Sequence, residues 1–145
     1  MSALHALEDR LRAVEDTLAI YHLIASHPPA ADTGTDSYYR NAFTDGGEVD
    51  LGGGKGARGN AAIAAIVKTP EHQAAIAGGL CHFAGLPRVE INGDTAVATS
   101  YLQIITPDGR QGRAKSPAMA ARAVSVSIAW APTVGSSSAA RTAGK

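Results

Sequence analysis

Residues 80–102 read LCHFAGLPRVEINGDTAVATSYL, and this stretch decides the fold. Apolar and polar residues alternate through Arg88-Val89-Glu90-Ile91 and again from Thr95 towards Ile105, the two-residue period of strands with one buried face. Leu80-Cys81-His82-Phe83 reads as a further short strand. Asn92-Gly93-Asp94 is a tight-turn signal, because Asn and Gly accept the positive φ that hairpin turns demand.

Upstream the period changes. Leu4, Leu7, Leu11, Val14, Leu18 and Leu23 recur every three to five residues, with Glu8, Asp9, Arg10, Arg12, Glu15 and Asp16 on the other side. This predicts an amphipathic helix with one buried stripe, ending near Ser26 because His27-Pro28-Pro29 cannot continue it. Asp32-Thr33-Gly34-Thr35-Asp36 reads as a turn and N-cap opening a short helix over 37–43. Residues 48–51 alternate as a short strand, Gly52-Gly53-Gly54-Lys55-Gly56 reads as a flexible loop, and Asn60 caps a third helix reaching about Lys68. Thr69-Pro70 stops that helix, and 71–79 read as a further helical turn. Helices first and strands afterwards predict an α+β fold, with helices packed on one face of a curved antiparallel sheet.

The chain has 145 residues, enough for one core but not two, and 45% of them are apolar. Thirteen Lys and Arg balance thirteen Asp and Glu, so no basic surplus exists to neutralise phosphates. Nucleic acid and anionic membrane surfaces are therefore poor partners. The charged N-terminus does not read as a signal peptide, and the single Cys81 forms neither a disulfide nor a metal-ligand pair within the chain. Those features fit a cytoplasmic location. GGGKG lacks the full spacing of a phosphate-binding loop. Arg58 is read as a loop-stabilising residue.

From Leu7 to Asp108 the chain resembles the SnoaL-like group of the nuclear-transport-factor-like superfamily. The resemblance is carried by the order and spacing of SHPPAADTGTDSYYRNAF, DGGEVDLGGG, KGARGNAAIAAIV and CHFAGLPRVEINGDTAVATSYL after an N-terminal helix. It implies a cone-shaped α+β barrel, residues 1–108 forming the main part of the domain. Relatives include dehydratases, a dehydrochlorinase, ketosteroid isomerase and polyketide cyclases. In the dehydratase and dehydrochlorinase branch an Asp after the first helix pairs with a His on a strand lining the cone. Asp32 and His82 match those positions. Some dehydratases carry Tyr five residues before that Asp, where this chain has His27.

The resemblance thus implies a cofactor-independent lyase or isomerase that removes a proton from a small apolar substrate, with Asp32 orienting His82 as base. A histidine suits that task because its ordinary pKa lies near neutrality. Taken alone, Asp32 could be turn chemistry and His82 an ordinary half-buried strand histidine. His27, Tyr21, Tyr39, Phe43 and Tyr101 are the expected pocket residues, and Tyr38 is core or pocket wall. His5 and His22 are read as surface or helix-packing residues and His72 as solvated. The alternatives are a non-catalytic domain of the same fold, binding a small ligand or a partner subunit, and an inactive variant. A homo-oligomer, dimer or trimer, is expected.

Residues 109–145 depart from this pattern. RQGRAKSPAMAARA has no usable period, 125–130 could form one strand, and VGSSSAARTAGK reads as a flexible tail. Relatives end in two long strands with a pattern like GFRxHRVxANRWELVRxxDGW. Codons able to encode the present tail permit Gly-Ala-Asn-Arg-Trp-Glu-Leu-Val-Arg in the neighbouring frame from Trp130 onwards. The tail is therefore read as the product of a one-base slip between about Asp108 and Met119. Sequencing the coding DNA checks this, and an alternate frame without ANRWELVR would end the idea.

Overall fold

The computed structural model describes residues 2–106 and, for the backbone alone, 118–129. The Pro107-Asp108-Gly109 break, Trp130 and the VGSSSAARTAGK segment lie outside the described residues. Five helices and six strands are described: α1 (Ala3–Ala25), α2 (His27–Thr33), α3 (Asp36–Ala42), β1 (Glu48–Gly52), β2 (Lys55–Arg58), α4 (Asn60–Ile66), α5 (Pro70–Ala77), β3 (Cys81–Ala84), β4 (Arg88–Asn92), β5 (Thr95–Thr106) and β6 (Ala118–Ala129). The class is α+β, as the order of periods predicts.

β5 is the spine of the sheet. β3 pairs with its C-terminal half, His82 opposite Ile104, and β4 with its N-terminal half, Val89 opposite Ala98. β6 pairs antiparallel with the whole of β5, from Thr95↔Ala129 to Thr106↔Ala118. Since a strand has two edges, β3 and β4 lie end to end on the edge that β6 leaves. The Gly85 amide bridges the gap by donating to the Tyr101 carbonyl at 2.9 Å. β4 turns into β5 through Gly93, whose φ of 57° suits a tight turn. Among the described residues the sheet stays open rather than closing into a barrel, and β1 and β2 form a separate two-stranded ribbon.

Two apolar clusters hold these layers together. Ile20 of α1 is fully buried against Ala96 and Ala98 of β5, with Ile24, Val89 and Ile91 around it. Tyr39, Ile63, Ala64 and Val67 pack with Ala30 in a second cluster that Phe43 and Val49 flank.

Several expectations are corrected. Leu4, Leu7, Leu11, Val14 and Leu18, read as a buried stripe, are 55–62% exposed. α1 does end before His27-Pro28-Pro29, yet those prolines sit in the first turn of α2, where a missing N–H costs nothing. Asp32 is therefore in the last turn of a helix, not in the turn that follows. That turn belongs to Gly34, left-handed at φ 65°. The glycine loop is the bend of the β1–β2 hairpin, with Gly53 and Gly54 at positive φ. Pro70 opens α5 as well as ending α4, under a Thr69 cap whose hydroxyl accepts from the His72 amide. β6 begins seven residues before the expected 125–130 segment, because the full length of β5 is there to pair it.

Candidate active site

The site is built where the C-terminal turn of α2 meets β3. On β3, Cys81 and Phe83 face outward while His82 and Ala84 face inward, the alternation that any strand imposes. The inward turn brings the His82 ring to Asp32, fifty positions earlier. His82 Nδ1 lies 2.7 Å from Asp32 Oδ1. The backbone N–H of His82 donates to Oδ1 and Oδ2 of the same carboxylate, both at 3.0 Å. Asp32 thus grips one residue through ring and backbone together. The His82 side chain is only 8% exposed and that of Asp32 23%.

This grip decides the tautomer. An ionised carboxylate only accepts, so Nδ1 must carry a proton, and in the neutral ring Nε2 is then left with its lone pair. Among the described residues no hydrogen-bond partner occupies Nε2.

α2 is pinned from below by residues that sequence reading missed. His72 on α5 is not solvated: its Nε2 contacts the Ala31 carbonyl at 2.8 Å. Lys68 donates to the Gly34 carbonyl at 2.7 Å and pairs with Asp36 at 3.4 Å. Thr69-Pro70, read as a helix start rather than only a stop, would have placed His72 in the first turn of α5.

His27 stands beside the pair, its ring centroid 5.7 Å from that of His82 and edge-on to it. The Tyr39 hydroxyl reaches His27 Nδ1 at 3.4 Å, and Phe43 stacks on Tyr39. Burial, then the neighbouring His82, lowers the His27 pKa from 6.5 to about 4, so its imidazole is neutral at pH 7. Burial raises the Tyr39 hydroxyl well above its usual range, with Tyr38 and Asp32 adding to it, and raises Tyr38 to about 12. Tyr38 donates to the Leu23 carbonyl at 2.9 Å, tying α3 to the end of α1. Tyr21 is half-buried on α1. Tyr101 is removed from the expected pocket: 73% exposed, it shares the outer face of the sheet with Phe83, opposite His82.

A shallow depression of about 290 Å³ is lined by Ser26, Pro29, Ala30, Thr33, Thr35 and Tyr38. Neither Asp32 nor His82 lines it. Among the described residues no group of three or more His, Cys, Asp or Glu is placed to hold a metal ion. No helix among them is long and apolar enough to cross a membrane.

The neutral His27 has a consequence for stability. Between pH 6.5 and about 4 the unfolded chain binds a proton at this position and the folded chain does not. Stability is therefore full above pH 6.5 and falls as the pH drops through that window, by on the order of 3 kcal/mol at its lower end. Denaturant titration at pH 7 and pH 4.5 checks this. His27→Gln should lose much less between the two pH values than the parent chain, and equal losses in both would show that His27 is not the titrating group.

The SnoaL-like domain family matches residues 12–127. A crystal structure of an NTF2-like protein with a cystatin-like fold from Novosphingobium aromaticivorans superposes with a TM-score of 0.72 at 32% identity. The match covers 86% of this chain and 77% of that one. No curated protein sequence matches this chain. Fold and family agree: the chain belongs to the SnoaL-like family, within the NTF2-like fold.

Proposed function

We propose that the domain is a cofactor-independent lyase or isomerase that removes a proton from carbon next to a carbonyl or similar activating group in a small apolar molecule. The observation that supports this reading is the double grip of Asp32 on the His82 ring and backbone. His82 Nε2 takes the proton. The C–H electron pair becomes a double bond, and either a β-substituent leaves with its own bonding pair or the proton returns at another carbon. Asp32 stabilises the imidazolium that forms. His27, held neutral by burial, accepts from the Tyr39 hydroxyl at Nδ1 and so keeps its Nε2–H to donate to the developing oxyanion or leaving group.

A second reading rests on the depression between Pro29 and Tyr38. Its lining lacks Asp32 and His82, which favours a domain that holds an apolar ligand without acting on it.

Proton exchange separates the two. Small cyclic ketones and β-hydroxy or β-chloro ketones are incubated with the protein in D₂O, and deuterium uptake and elimination are followed by NMR. The enzyme reading expects uptake that His82→Gln removes. Wild-type rates no higher than those of the variant across the panel would leave the binding reading.

A further inference from the structure

The N-terminal half of α1 stands away from the body of the protein. Every residue from 3 to 15 is exposed, although all lie in the helix, and the first fully buried side chain is Ile20. A helix of about this length with no tertiary support is marginal in water. Something has to cover it for residues 3–15 to stay helical.

The spacing of its apolar residues says what. Leu4, Leu7, Leu11, Val14, Leu18 and Tyr21 follow in steps of three, four, three, four and three. Those steps fit the 3.5-residue seam of a coiled coil, and it is the exposure of the series that sets it apart from a stripe lying on its own domain. The five aliphatic members are 55–62% exposed. The body-facing side chains Ile20 and Ile24 lie roughly a third of a turn away round the helix, so the five aliphatic positions are free while α1 is docked, and Tyr21 at the end of the series is half-buried.

We infer that α1 pairs with α1 of a second copy of this chain as a parallel two-stranded coiled coil over residues 4–21. The flanking charges choose this arrangement. With Leu4, Leu11 and Leu18 at the first core position of each heptad, Glu8 and Glu15 flank one side of the seam and Arg10 the other. In parallel helices the residue before one core position faces the residue five places on in the partner, so Arg10 meets the second copy's Glu15 twice. An antiparallel pair sets Glu8 against Glu15, like against like. Charge directly beside the seam also limits the bundle to two strands, since larger bundles bury those flanks. The two-fold axis then carries the two bodies to opposite sides of the coil.

Sedimentation equilibrium and circular dichroism on the full chain test this. The wild type is expected to be a dimer that dissociates on dilution with loss of helical signal. Leu11→Asp, at an exposed position that leaves the body intact, is expected to be monomeric at the same concentration. Arg10→Glu and Glu15→Arg should each weaken dimerisation roughly ten-fold, and an equimolar mixture of the two should restore wild-type affinity. A wild type that stays monomeric at its solubility limit, a species larger than a dimer, or a dimer untouched by Leu11→Asp overturns the proposal. A mixture no tighter than either charge variant alone overturns the parallel pairing.

Discussion

His82→Gln is expected to slow the proposed proton exchange by about 10²- to 10⁴-fold, the usual contribution of a positioned general base. The variant should fold normally, because part of the Asp32 grip is on the backbone N–H of residue 82, which the substitution keeps. Asp32→Asn is expected to lose a comparable factor for a different reason. An asparagine amide can turn its NH₂ towards Nδ1, and an imidazole that accepts there carries its proton on Nε2, where the base should be. NMR of the His82 ring reports that tautomer directly. A His82→Gln protein that exchanges protons at the wild-type rate would remove His82 from the chemistry, whatever the hydrogen bond to Asp32 does for the fold.

Ile20→Ala is expected to cost about 2–5 kcal/mol, the range for removing a fully buried aliphatic side chain. The upper part of that range is expected because two of its neighbours, Ala96 and Ala98, have no side chain long enough to lean into the space. Measured by denaturant unfolding, this is a large share of the ~5–15 kcal/mol that holds a typical domain. A loss below about 1 kcal/mol would mean that α1 is anchored to the sheet by something other than Ile20.

The β4–β5 hairpin was legible because its signals are local: alternation on both sides of Asn92-Gly93-Asp94. α1 was legible as a helix but not in its orientation. The residues at Leu4, Leu7, Leu11, Val14 and Leu18 serve equally to line a core or to face another helix, and the choice is made by Ile20, a single residue outside that series. α2 was missed because Pro28-Pro29 stops one helix and starts another within the same three residues. The glycine hairpin was missed because Gly53 and Gly54 give a turn no apolar pattern to announce it. His72 lay beyond reach, since its partner is a backbone carbonyl forty-one positions away. Nothing local joins Asp32 to His82 either. Their pairing could be expected only through resemblance to the family, and the register of β3 on β5 together with the placement of α2 is what brings them together.

The hold of Asp32 on a main-chain amide has an evolutionary implication. Any residue except proline at position 82 presents the same N–H, so descendants can exchange the imidazole for another side chain while keeping α2 fastened to β3. Reactivity at this position is thus free to drift away from architecture, a route by which one scaffold yields both catalysts and inert carriers.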